Sequence, residues 1–275
     1  MRSRRLRRLR MGLATLLGRP AGFFIPYRYA AGCRPVAYPA VERILEAARP
    51  AFLELLGEAA AHAEQLAALE GPPPLPRWNQ DWFPRLDGAM AYTLVRRLQP
   101  RRILEIGSGH STRFMAKALA DSGLQGRLAC IDPQPRAALT GLDVRHERRL
   151  FGEADLQLVA TLEAGDMLFI DSSHVAMPGS DVDLLLNGAL PALQAGVLVH
   201  IHDVFLPDPY PARWAWRGYN EQLLVACLLQ GGAFAPLFAS HWAATRLADA
   251  VTASGLAALP LREGAFETSL WLRKS

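Results

Sequence analysis

Only three cysteines occur in 275 residues, Cys33, Cys130 and Cys227, far apart and odd in number. They form no C-x-x-C metal motif and imply no disulfide framework. The thiols therefore read as free ones in a reducing compartment, and the protein as cytoplasmic. No run of about 18 uninterrupted apolar residues is present, so the pattern offers no membrane-spanning helix. Charged residues make up 20% and aromatics 8% beside 51% hydrophobic residues. That balance excludes a disordered or fibrous chain and can bury one large core of about 200 residues plus an extension.

Acid is absent from the first ten residues, which hold six arginines: Arg2, Arg4, Arg5, Arg7, Arg8 and Arg10. Setting these six aside turns the formal net charge of +4 into −2. The basic balance thus belongs to the tail and is no sign of a nucleic-acid-binding domain. The tail continues into Met11–Gly18, an apolar run short for a signal peptide and followed by no A-x-A-like cleavage site. It is compatible with an arginine-rich transit peptide, with a disordered tail, or with a basic amphipathic segment that weakly contacts an anionic membrane from the cytoplasmic side.

The pattern predicts three regions: a basic tail over 1–20, a helical extension and proline-rich linker over 21–76, and a catalytic domain over 77–275. Residues 39–69 show helical spacing, with Pro50 separating two helices or kinking one. Gly71–Pro76 is a linker by composition. A helix over 87–98 opens the domain. Strands are then expected at 102–107, 127–132, 144–149, 167–171 and 197–203. Helices are expected at 111–121, 135–140, 154–163, 180–193 and 219–230, and two last strands near 234–239 and 266–273. Short apolar runs between amphipathic helices predict an α/β, doubly wound Rossmann-like sheet covered on both faces.

The chemistry gathers at the predicted strand ends. The first reads Arg102-Ile-Leu-Glu-Ile-Gly-Ser-Gly-His-Ser-Thr112. Gly107 and Gly109 let the strand turn sharply and let a ligand approach the backbone, at the edge where open α/β sheets bind ligands. A dinucleotide fingerprint would need glycine at 112, where Thr112 stands, which argues against a NAD-linked oxidoreductase. The second strand ends on Asp132, an acid placed to accept hydrogen bonds from ribose hydroxyls. The fourth ends Phe-Ile-Asp171-Ser-Ser-His174 and the fifth His200-Ile-His202-Asp203. Asp171, His202 and Asp203 can meet one magnesium or manganese ion, and His174 can serve as a general base.

Together, Glu105, Gly107, Ser108, Gly109 and Asp132 resemble the cofactor site of class I S-adenosylmethionine-dependent methyltransferases, with Ser111 in place of the usual third glycine. The later segments resemble the metal-dependent O-methyltransferases of the catechol and macrolide-sugar types, and an uncharacterised bacterial methyltransferase group that shares the FIDSSH, HIHD and Asn220-Glu221-Gln222 segments. The resemblance covers roughly residues 80–275. It implies a seven-stranded sheet with the last strand antiparallel and S-adenosylmethionine bound by Glu105, Gly107, Ser108, Gly109, Asp132 and Asp171. It also implies a metal held by Asp171, His202 and Asp203, with His174 as base toward a small-molecule or sugar hydroxyl. Those families carry an acid where His202 stands. Three other readings remain open here. One is a metal-free methyltransferase using His174 and His202. The others are an oxidoreductase on a similar sheet and a non-catalytic adapter recruited to membranes by the tail. The proline- and aromatic-rich segment 205–218, with Tyr210, Trp214 and Trp216, suits a lid or acceptor wall.

Overall fold

The computed structural model describes residues 2–19 and 27–275, so the expected boundary between residues 20 and 21 lies outside the described residues. The described chain falls into two units, 1–36 and 37–275. In the first, helix α1 spans Arg2–Leu16. Its leucines at 6, 9, 13 and 16 recur at helical spacing and are exposed. Among the described residues no helix is long and apolar enough to cross a membrane.

The second unit begins with helices α2 (Pro39–Ala47), α3 (Arg49–Ala60) and α4 (Ala63–Ala67). Pro50 lies in the first turn of α3, where its missing N–H costs no helical bond, so the break falls at Ala48. These helices pack into the same unit as the sheet. Trp242 Nε1 donates to Glu42 Oε1 at 2.7 Å, and the Phe52 and Phe238 rings lie 5.5 Å apart.

Seven strands form the sheet: β1 (Ile103–Ile106), β2 (Leu128–Ile131), β3 (Arg145–Glu147), β4 (Met167–Ile170), β5 (Leu198–Ile201), β6 (Phe234–Ala239) and β7 (Leu270–Lys274). Their order is β3-β2-β1-β4-β5-β7-β6, with β7 antiparallel to both neighbours, as expected. β1, β4 and β5 are buried at every residue, which requires cover on both faces. Polar β3 forms one edge. β6 forms the other and tolerates Pro236 at an irregularity in its pairing.

The connecting helices are α5 (Arg85–Leu98), α6 (His110–Asp121), α7 (Leu156–Ala160), α8 (Asp181–Asp183), α9 (Leu190–Ala192), α10 (Glu221–Gln230), α11 (Ser240–Arg246) and α12 (Ala248–Ala253). A π-helical segment, Leu184–Ala189, joins α8 to α9. The chain order reverses between β1 and β4, so the crevice at the carboxyl ends of these two strands is the topological switch point.

One expected helix is absent. Residues 135–140 are irregular because their backbone groups bind tertiary partners instead of one another. Arg136 N–H donates to Ser108 O at 3.0 Å, and the Arg113 guanidinium donates twice to Ala138 O, at 3.1 and 2.9 Å. Pro133 and Pro135 supply no amide to a helix start there.

Candidate active site

Gly107 ends β1 with φ +84°, and a Cβ there would lie 2.0 Å from Asp171 O. Its glycine is therefore required by the neighbouring strand as well as by the turn. Asp171 N–H donates to Ile106 O at 2.8 Å, which draws the ends of β1 and β4 together.

Glu105 is fully buried beneath this turn. Its two oxygens accept from Ser111 Oγ at 2.5 Å and Thr112 Oγ1 at 2.6 Å. Thr112 Oγ1 also accepts from Gly109 N–H at 2.9 Å. Glu105 thus braces the first turn of α6, and Ser111 has a use that a third glycine could not supply. Burial, aided by the charges of Asp171 and Asp132, pushes the Glu105 carboxyl up to about 8 against the pull of the two hydroxyls.

At the end of β2, Asp132 accepts from Ser108 Oγ at 2.9 Å and Gln134 N–H at 2.7 Å. A carboxylate has about four acceptor positions, so two remain for a ligand.

The ends of β4 and β5 meet in a network of carboxylates and imidazoles. His174 Nε2 lies 3.2 Å from Asp171 Oδ1 and 3.4 Å from Asp203 Oδ2, and its Nδ1 lies 2.8 Å from Glu221 Oε2. His202 Nδ1 lies 3.5 Å from Asp171 Oδ1 and 3.7 Å from Asp203 Oδ1, with Nε2 3.5 Å from Asp87 Oδ2. Arg217 Nη1 stands 3.6 Å from Asp203 Oδ2. His174 and Asp203 both hold positive φ, 60° and 55°, a strained backbone that clusters at working sites.

The charges set each other. Burial opposes a proton on His174, but Asp203, Asp171 and Glu221 outweigh it and hold the imidazole well above its ordinary value. His202 is raised in the same way, against burial, by Asp203, Asp171 and Asp87. Burial would push Asp171 up, yet His202 and His174 hold it well below the usual carboxylate range. With 30% of its side chain exposed, Asp171 is the network's most open carboxylate. His200 stands apart in the core: it stacks on Phe169 at 3.6 Å and bonds Ser269 Oγ at 2.9 Å.

Several partners had no assigned role in the sequence. Asn220, Glu221 and Gln222 form a clasp. Asn220 Oδ1 accepts from Ala176 N–H at 2.6 Å, Glu221 holds His174, and Gln222 Oε1 accepts from Phe205 N–H at 2.9 Å. Asp87, from the first turn of α5, carries no sequence signal. Its carboxylate takes the amides of Thr268 and Ser269 and faces His202. In segment 205–218, Trp214 packs on Phe205 and under the Arg217 guanidinium, while nearby Tyr219 lies 4.6 Å from the His174 ring.

Residues 104–204 match the family model described as a methyltransferase domain. Residues 104–204 thus carry a methyltransferase domain, on a seven-stranded sheet with the arrangement expected from the sequence. No curated protein matches the chain. Among solved structures, it is similar to the S-adenosylhomocysteine-bound methyltransferase PaMTH1 of Podospora anserina, at 17% identity, a TM-score of 0.43, and 92% of this chain over 99% of that one. It is also similar to an O-methyltransferase from Bacillus cereus in complex with S-adenosylhomocysteine, at 14% identity, a TM-score of 0.44, and 90% of this chain over 96% of that one.

The methyltransferase brings the three expected metal ligands, Asp171, His202 and Asp203, together, but as members of ion pairs. Each carboxylate already faces two imidazoles, and Asp203 faces Arg217 as well. Among the described residues no group of three or more His, Cys, Asp or Glu is arranged to hold a metal ion. A divalent cation entering here would meet the Arg217 guanidinium and would compete with two imidazoles for both carboxylates. The donor set does not fit a metal centre, because the carboxylates already have these partners.

Proposed function

We propose that the protein methylates a hydroxyl group of a small molecule or sugar, with S-adenosylmethionine as donor and without a catalytic metal. The observation that carries this reading is the convergence of His174, Asp171 and Asp203 at the switch-point edge of a methyltransferase domain, with Glu221 behind the imidazole.

The cofactor suits the residues of that edge. The turn at Gly107–Gly109 opens onto the start of α6, and Asp132 keeps acceptor positions for ribose hydroxyls. Bound there, S-adenosylmethionine supplies an electrophilic methyl carbon on a sulfonium. The remaining work falls to the chain. Glu221 fixes the tautomer and orientation of His174 by accepting from Nδ1–H, so that Nε2 faces the reacting edge. Asp171, the open carboxylate, accepts a hydrogen bond from the acceptor hydroxyl and orients it. His174, once free of its own proton, takes the hydroxyl proton on Nε2. His202 and Arg217 stand by with positive charge that offsets the developing oxyanion. Segment 205–218 with Tyr219 walls the acceptor side.

Calorimetric titration with S-adenosylhomocysteine and with NAD tests the donor. S-adenosylhomocysteine is expected to bind, and Asp132→Ala to weaken it by about 1–3 kcal/mol through lost hydrogen bonds to a charged group. Preference for NAD would reject the reading.

A further inference from the structure

Around the first turn of α6 lie a buried histidine and three arginines, Arg77, Arg113 and Arg136, that form no ion pair among the described residues. His110, the first residue of α6, is only 6% exposed, and its Nδ1 is buried with no hydrogen-bond partner. Arg77, half-buried, has its Nε buried and likewise unpartnered. The buried Arg113 guanidinium donates to backbone carbonyls, two bonds to Ala138 O and one to Leu75 O, and meets no carboxylate. Arg136, whose Cβ lies where a Gly109 side chain would point, stacks on Trp82 at 4.8 Å. An acid that acts on His110, Asp81, is exposed and 3.7 Å from Arg262.

Buried positive charge and unpartnered donors cost folding free energy unless a partner arrives. Gly109 precedes α6 and has no side chain with which to cap it, so the amide end of a 12-residue helix adds to the same positive field. Burial, with Arg113 and Arg77 adding to it, holds the His110 imidazole down to about 4, which leaves it neutral and able to donate one N–H. Such a place favours an anion. It adjoins the Gly107–Gly109 turn, whose Ser108 bonds Asp132 at the end of β2.

We propose that Arg77 and His110 bind the carboxylate of the cofactor's amino-acid end, with Arg113 adding its charge from beneath. This rests on the donor assigned above. Arg77 gives a charged hydrogen bond from the segment that precedes α5, and His110 gives a second from the helix start. The adenosine end is left to Asp132.

The test is calorimetry on the full chain with two probes: S-adenosylhomocysteine, and 5′-methylthioadenosine, which keeps the adenosine and thioether but lacks the amino-acid end. The variants are Arg77→Met, which leaves the helix start untouched, and His110→Asn. Each is expected to weaken S-adenosylhomocysteine about tenfold or more, the loss of one hydrogen bond to a charged group, while 5′-methylthioadenosine binds as to the wild type. Arg77→Lys should recover part of the loss. Unchanged S-adenosylhomocysteine affinity in both variants overturns the assignment and leaves an acidic acceptor as the occupant to seek. Equal weakening of both probes also overturns it, since the residues would then only shape the turn. A wild type that binds neither probe rejects the donor reading itself, a result distinct from the other two.

Discussion

The His174 imidazole and the Glu221 carboxylate lie 2.8 Å apart across 47 residues of sequence, joining the end of β4 to the start of α10. This pair turns a loop histidine into an oriented one. It also raises the proton affinity that His174 must lose before it can act as a base.

The pH dependence follows from that sign. A base held well above its ordinary value gives up its proton only at more alkaline pH, so the rate should climb toward alkaline pH, with its ascending limb above the usual histidine range. Glu221→Gln removes one of the charges that hold the proton and should move the limb to lower pH. His174→Ala should cost roughly 10²–10⁴-fold in turnover while S-adenosylhomocysteine affinity stays within about twofold. A pH–rate profile of the three proteins checks this, and an unmoved limb in Glu221→Gln would count against the pairing.

Metal removal should leave the enzyme working. With His174, His202 and Arg217 supplying the positive charge, turnover in excess EDTA should match that of untreated protein, and added manganese or magnesium should not raise it. The check is a methyl-transfer assay on protein shown by elemental analysis to be metal-free. Loss of activity restored by an ion would overturn the metal-free mechanism and return Asp171, His202 and Asp203 to the role of ligands.

Gly107→Ala should destabilise the fold and the site together. The residue holds φ +84°, costly for any side chain by about 1–2 kcal/mol, and the new Cβ would meet Asp171 O. Thermal melting should fall by several degrees, and S-adenosylhomocysteine should bind more weakly because β1 and β4 can no longer close on each other. An unchanged melting temperature would show that the strand ends have room.

The arginine-rich helix α1 should confer salt-sensitive attraction to anionic bilayers, at most about 1 kcal/mol per basic residue near the surface. Its exposed leucines at helical spacing give the bilayer an apolar stripe to take up. Co-sedimentation with phosphatidylserine vesicles should be greater for the full chain than for a variant beginning at Ala21, and the difference should shrink in high salt. Equal sedimentation would assign the tail another role.

The sequence by itself determined the sheet, the turn and the polar strand ends, because these follow from local rules. Short apolar runs such as Met167–Ile170, alternating with amphipathic helices, read as strands buried on both faces. Gly107 marks a turn that a side chain cannot make, and Asp132, Asp171 and Asp203 follow apolar runs at one edge of any parallel sheet. Tertiary structure alone decided how the groups there pair. Residues 135–140 have a helical pattern, but Arg113 and Ser108 capture their backbone groups from other elements. His200 and His202 look alike in sequence and stack on one face, yet His200 lies inside β5 against Phe169 while His202, just past the strand end, reaches Asp171. Glu105 was legible as part of a cofactor motif, but its contacts make it the brace of α6. Asp87, Arg217 and Glu221 reach the site from α5, the segment after β5 and the start of α10. Their charges, which place the positive partners where a metal was expected, come from long-range contacts that no local pattern encodes.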